Sequence, residues 1–186
     1  FYSETDSEVL LKGYEKWGLE ILDKVDGMFS FAILDKKKNI LVCARDPVGI
    51  KPFYYNTSQS GFVFASEPGA ILSALNTPGE IDIERTSEFL LMGITDHDEG
   101  TFFKEVKQLP GGSYMIVSLD GKIIEKAKYW TPPTDIVNFD NVPSDTYQNL
   151  LLSVKRQLRS DVKLGTSLSG GIDSGTIVTI AGELLK

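Results

Sequence analysis

The chain of 186 residues has one cysteine, Cys43, and one histidine, His97. A lone cysteine forms no intrachain disulfide and no thiolate metal cluster, and a lone histidine makes no His-rich metal site. No apolar run approaches the roughly 20 residues that a membrane span needs. The N-terminus, Phe1-Tyr2-Ser3-Glu4-Thr5-Asp6, has no Met, no basic region and no apolar stretch, so it does not read as a signal peptide. It reads as the middle of a domain, and the chain as a fragment. Basic charge is also scarce. Lys and Arg number 19 against 26 Asp and Glu, giving a net charge of −7, and the one basic block is Lys36-Lys37-Lys38. That block suits a hairpin tip, and the balance disfavours a nucleic-acid partner. These absences point to a cytoplasmic, reducing setting with neither nucleic acid nor membrane as partner. The 41% hydrophobic and 24% charged content is that of an ordinary globular chain, long enough for one good core or two partial ones.

What is present is concentrated near the C-terminus. Val162 to Leu168 reads as a short strand, Ser169-Gly170-Gly171-Ile172-Asp173-Ser174-Gly175 as a tight polar loop, and the residues from Thr176 to Lys186 as a helix. The first amides of a helix lack internal partners and its dipole is positive there, so such a loop suits an anion. Gly170 and Gly171 let the backbone turn and a phosphate approach, while Ser169 and Ser174 add hydroxyl donors. Asp173 would repel a bare phosphate, which suggests a bridging divalent cation. The plainer reading is a Gly-rich turn with a helix cap. The loop is not a Walker A motif, because no Lys follows the glycines, and the G-x-G-x-x-G spacing of a dinucleotide site is absent.

Upstream, Thr5 and Glu8 suggest a capping box on a helix that runs to Gly18, with Val9, Leu10, Tyr14 and Trp17 at helical spacing. A second, shorter helix is expected over 19–25. Met28 to Leu34 and Ile40 to Arg45 read as strands flanking a turn. Cys43 lies in the second and is read as packing, not as a nucleophile. Arg45-Asp46 is either an active-site clamp or a structural ion pair, with structure favoured. Phe53-Tyr54-Tyr55 and Phe62-Val63-Phe64 flank a polar hairpin over 56–61. A helix is expected from Ser66 through Leu75, with Pro68 early in it, and another over 83–92 with Phe89 and Leu90 inward. Asp96, His97, Asp98 and Glu99 are adjacent, and adjacent residues rarely converge on a metal. Pro110-Gly111-Gly112 is a turn, and 113–119 and 122–127 form a hairpin about Asp120-Gly121. A Pro-rich boundary follows over 129–143. Ser144 then opens a helix to about Ser160, with Tyr147, Leu150, Leu151, Val154 and Leu158 on one face.

These segments fall in a familiar order. Ser169 to Ser174 resembles the pyrophosphate-binding loop of the PP-loop ATP pyrophosphatases. Gly27 to Ala32, Arg45 to Tyr55 and Phe64 to Glu67 resemble the glutamine-hydrolysing asparagine synthetases. The resemblance implies an α+β fold: the C-terminal part of a class II, N-terminal-nucleophile glutaminase sandwich over 1–128, a linker over 129–143, and the first helix-strand-loop-helix of an α/β nucleotide-binding domain over 144–186. It implies a carbon–nitrogen ligase with glutamine, aspartate and ATP as substrates and Mg2+ as cofactor, and it allows a homodimer of the full-length protein. Asp6 matches the position that holds the α-amino group of glutamine. Leu168, Ser169, Gly170, Gly171, Asp173 and Ser174 match the ATP site, with Asp173 as the metal ligand. The nucleophilic Cys of the family would lie upstream of Phe1, so no catalytic residue is expected here and the chain by itself is expected to be inactive. Two positions depart from the pattern. Gly175 stands where a second hydroxyl residue is usual, and Gly69 where Lys often follows the Ser-Glu pair. They leave open a ligase acting on another carboxylate, a β-lactam-forming homologue, or a degenerate non-catalytic piece.

Overall fold

A computed structural model describes residues 1–58, 61–134 and 142–185. The chain divides into two compact units, Phe1–Pro133 and Thr134–Lys186. Residues 135–141, within the expected linker, and residues 59–60 of the expected hairpin lie outside the described residues.

The first unit is α+β, with two antiparallel sheets. Helix α1 (Asp6–Trp17) leads into a 3-10 turn at Gly18–Asp23, then β1 (Ser30–Asp35) and β2 (Ile40–Arg45). β3 (Tyr54–Ser58), β4 (Gly61–Ala65), α2 (Pro68–Ala74), α3 (Ile83–Met92), β5 (Lys107–Gln108), β6 (Ser113–Ser118) and β7 (Ile123–Lys128) follow. One sheet has the order β1-β2-β6-β7 and the other β4-β3-β5.

Strand periodicity separates the layers, because successive side chains point to opposite faces. In β2, Val42 and Ala44 pack with Tyr14, Ile21 and Leu22 of the helical layer. Cys43 points the other way, into a cluster with Met115, Val117, Tyr55 and Leu109 between the sheets. In β3, Tyr55 joins that cluster while Tyr54 packs with Ile71 and Leu72 of α2. The unit is thus helix, sheet, sheet, helix. Cys43 is fully buried, and burial pushes its thiol up to about 12, so it is a packing residue.

Several local expectations are corrected. The short helix expected over 19–25 is of the 3-10 kind and spans Gly18–Asp23. Thr5 is the N-cap of α1 but makes no side-chain cap bond, so the capping box is not formed. In α3 no residue is buried. Leu90 is 74% exposed, and Phe89 reaches only the edge of Phe102. The helix is closed instead by local bonds: the Asp82 carboxylate accepts from the Arg85 amide, and Gly93 adopts the left-handed conformation at its end.

Arg45 and Asp46 do fix structure, though not as a pair with each other. The Arg45 guanidinium donates to the carbonyls of Lys51 (2.7 Å), Gly49 (2.7 Å) and Leu109 (2.7 Å) and to Gln108. Asp46, 1% exposed, accepts from the amides of Ile50 and Lys51, both at 2.9 Å. Tyr129, assigned to the linker from sequence, instead belongs to the first unit. Its amide bonds to Gly112 and its hydroxyl to the Arg45 carbonyl at 2.8 Å.

The second unit holds α4 (Val142–Gln157) and α5 (Ile172–Leu184), which pack on each other; Val154 is the buried residue of α4 and Ile180 that of α5. The strand expected over 162–168 is not formed. A strand needs a neighbour to take its N–H and C=O groups, and among the described residues of this unit there is no other strand.

Candidate functional site

Residues 168–174 build a small loop at the head of α5. Leu168 is 63% exposed. Gly170 has φ +80°, a left-handed turn that a residue with Cβ adopts only with strain. Gly171 is the N-cap of α5 in extended conformation, with no side-chain cap bond, which leaves the first amides of the helix without a side-chain partner there. Ser169 and Ser174 are brought together. Their hydroxyls lie 2.9 Å apart, the Ser169 amide donates to Ser174 Oγ at 3.3 Å, and Ser174 Oγ reaches the Gly171 carbonyl at 3.2 Å. Asp173 is in the first turn of α5 and exposed. The predicted residues therefore share one short turn, with the two serines folded over the glycines.

The loop offers hydroxyls, free amides and one carboxylate, all hard oxygen or N–H groups suited to phosphate and to Mg2+. Among the described residues no three His, Cys, Asp or Glu side chains gather into a metal cage. A cation at Asp173 therefore needs oxygens from a ligand, which is how Mg2+ is usually bound beside phosphates. Gly175 is the fourth residue of α5, and a Cβ there would meet open space.

The other predicted position, Asp6, is the first residue of α1 and exposed. Its neighbour Glu8, expected from sequence as half of the capping box, does something else. Its carboxylate accepts from the amides of Tyr2 (2.8 Å) and Ser3 (2.6 Å) and from the Ser3 hydroxyl (2.7 Å). These bonds hold Glu8 below its ordinary carboxylate range, the Ser3 hydroxyl contributing most and the Tyr2 amide next.

The acidic run at 96–99 is spoken for. Gln108 Nε2 donates to Asp96, Arg85 pairs with Asp98 and Glu88, and Glu99 takes both Lys126 Nζ (2.6 Å) and the Tyr55 hydroxyl (3.1 Å). These partners come from distant elements, which is why sequence reading shows the run but not its ties. The same segment borders a cavity of about 240 Å3 with Tyr54, Pro68, Phe102 and the buried Gln108. Gln108 is engaged at both ends, to Arg45 and to Asp96.

Comparison with known proteins agrees with the order of these segments. The glutamine amidotransferase domain family matches residues 1–130, and the asparagine synthase family matches residues 146–186. The chain is 36% identical over 183 residues to the glutamine-hydrolysing asparagine synthetase 3 of Bacillus subtilis, covering 97% of this chain and 30% of that enzyme. It is 34% identical to a putative asparagine synthetase 2 of Methanocaldococcus jannaschii, covering 96% of this chain and 35% of the relative. The chain thus spans about a third of the length of the curated relatives it matches. A solved glutamine phosphoribosylpyrophosphate amidotransferase of B. subtilis overlaps 99% of this chain and 39% of its own, with 16% identity and a TM-score of 0.43, too loose a likeness to assign more. With the match covering most of the chain, the protein belongs to the glutamine amidotransferase domain family, and its residues 146–186 continue into a segment of the asparagine synthase family.

Proposed function

We propose that this chain is part of a glutamine-hydrolysing asparagine synthetase, a carbon–nitrogen ligase that uses glutamine as amide donor. The observation that carries the reading is the succession, in one chain, of a glutamine amidotransferase match and an asparagine synthase match that contains the Ser169–Ser174 loop. Glutamine is hydrolysed to glutamate and ammonia. Aspartate attacks the α-phosphorus of ATP, giving aspartyl-AMP and pyrophosphate. Ammonia then attacks the acyl carbon, AMP leaves with the bonding pair, and asparagine forms.

The residues of this chain serve binding and charge control. Asp6, exposed at the start of α1, receives the α-ammonium of glutamine. The amides of Gly170 and Gly171 and the positive end of α5 hold the pyrophosphate as it departs. Ser169 and Ser174, already in contact, turn their hydroxyls from each other to phosphate oxygens. Leu168 lies against the nucleotide. Asp173 would hold Mg2+ together with phosphate oxygens, and the ion would offset the charge that builds on the leaving pyrophosphate.

The test is an assay of pyrophosphate release by the protein produced from its whole gene, with ATP, Mg2+, glutamine and candidate acceptors. The expected result is release that depends on aspartate and yields asparagine. Release that ignores aspartate but responds to another carboxylate moves the acceptor, the outcome that Gly175 and Gly69 keep open. No release with any acceptor overturns the ligase reading.

A further inference from the structure

The segment in front of Asp6 has no apolar anchor. Phe1 is 84% exposed and Tyr2 fully exposed, and Ser3, Glu4 and Thr5 are exposed as well. It is nevertheless tied back to the chain, and its bonds lead to Glu8. The carboxylate takes the Tyr2 amide on both oxygens, at 2.8 and 2.9 Å, and the Ser3 amide and hydroxyl on Oε2 at 2.6 and 2.7 Å. Ser3 Oγ in turn lies 3.0 Å from Thr5 Oγ1 and accepts weakly from the Thr5 amide at 3.5 Å. The reach follows from helix geometry. Glu8 is the third residue of α1, and helical side chains tilt toward the N-terminus, so its carboxylate lies over the residues that precede the helix.

Two carboxylates therefore sit in the first turn of α1 with different tasks. Both are favoured by the helix dipole. Glu8 spends its acceptors on three donors of the chain itself. Asp6 accepts no hydrogen bond from any described group, and its carboxylate is left for a ligand. We infer that Glu8 is a positioning residue for glutamine recognition: it ties residues 2–5 into a hook that fixes the backbone entering Asp6 and so aims the Asp6 carboxylate. The inference rests on the reading of Asp6 as the group that receives the glutamine α-ammonium. Because Glu8 acts through Asp6, its loss weakens glutamine binding and leaves the chemistry downstream of ammonia untouched. Like any glutamate it is a carboxylate at neutral pH, and the hook's own bonds hold it further below its ordinary range.

The experiment uses the protein from its whole gene, assayed for asparagine formation with glutamine and, separately, with ammonium chloride as nitrogen source. Glu8→Ala is expected to raise the KM for glutamine about tenfold, with kcat and the ammonia-dependent rate unchanged. Glu8→Gln keeps an acceptor oxygen for the hook and is expected to restore most of the loss. Asp6→Ala is the companion variant and is expected to raise the glutamine KM further than Glu8→Ala does. If Asp6→Ala raises the KM and Glu8→Ala does not, the hook plays no part and the inference falls alone. If neither changes it, the reading of Asp6 falls and takes the inference with it. An equal drop in glutamine- and ammonia-dependent rates for Glu8→Ala makes Glu8 merely structural and also overturns the inference.

Discussion

Replacing Gly170 by Ala tests whether the loop before α5 works in the shape described. The residue has φ +80°, and a Cβ built on it meets nothing within 4 Å. The substitution therefore adds no clash, and its whole cost is backbone strain, about 1–2 kcal/mol for an L-residue in the left-handed region. The loop is exposed from Val162 to Ile172, so no packing holds the strained turn in place. It relaxes when free, and a nucleotide must restore the turn on binding. The strain then appears as a loss of affinity of about 5- to 30-fold. Gly171→Ala is the control. Gly171 has φ −78° and ψ 164°, which any residue adopts, and its Cβ would lie 3.6 Å from Ser169 Oγ, an ordinary contact. That variant strains nothing in the free loop, so any fall in affinity measures how closely phosphate approaches the Gly171 backbone. The assay is the KM for ATP in acceptor-dependent pyrophosphate release. A KM within twofold of the unmodified protein for Gly170→Ala means that ATP does not use this turn, and it refutes the site.

Three further outcomes follow from the same geometry. Asp46→Ala leaves the Ile50 and Lys51 amides without their acceptor, and at about 1–3 kcal/mol for each lost partner it should cost about 2–6 kcal/mol in chemical denaturation; a loss under about 0.5 kcal/mol would show that water replaces the carboxylate freely. Gly175→Ser fits without clash and adds a hydroxyl beside Ser174, so the KM for ATP should fall a few-fold, and a rise would place Gly175 against the ligand. Cys43 and Tyr14 both titrate at about 12 when folded, raised first by burial. Each ionises earlier when unfolded, near 8.5 and 10, so the unfolded state binds fewer protons above those values. The stability that these two groups contribute should be constant below about pH 8.5 and be lost from there toward pH 12, and Cys43→Ala should remove the earlier part of that loss in pH-dependent unfolding curves.

Local chemistry made much of the fold legible. The bounds of α3 follow from Asp82 as cap and Gly93 as stop, and the hairpin of β6 and β7 from Asp120-Gly121 between alternating runs. Asp35 shows why Lys36 to Lys38 form a tip: its carboxylate accepts from the Lys37 and Lys38 amides. What was misread depends on partners far along the chain or not yet met. Val162 to Leu168 has the composition of a strand but no neighbouring strand among the described residues of its unit. Leu90 has helical spacing, yet no described element covers it. Arg45 and Asp46 are adjacent and of opposite charge, which suggests a pair, but successive side chains point apart and each serves a different part of the same loop. The Ser169–Ser174 loop was legible as a composition, and the closeness of its two hydroxyls was not, because four residues separate them and the turn at Gly170 brings them together.

The guanidinium of Arg45 has a consequence for how the first unit assembles. It closes β2 of one sheet yet donates to Leu109 and Gln108 beside and within β5 of the other. A guanidinium does not shed its proton at any ordinary pH, so parting the sheets costs the cation its Leu109 and Gln108 acceptors and leaves it the loop carbonyls of Gly49 and Lys51. The two sheets are tied through this one side chain, and the amides of β2 and β5 should open together in hydrogen exchange.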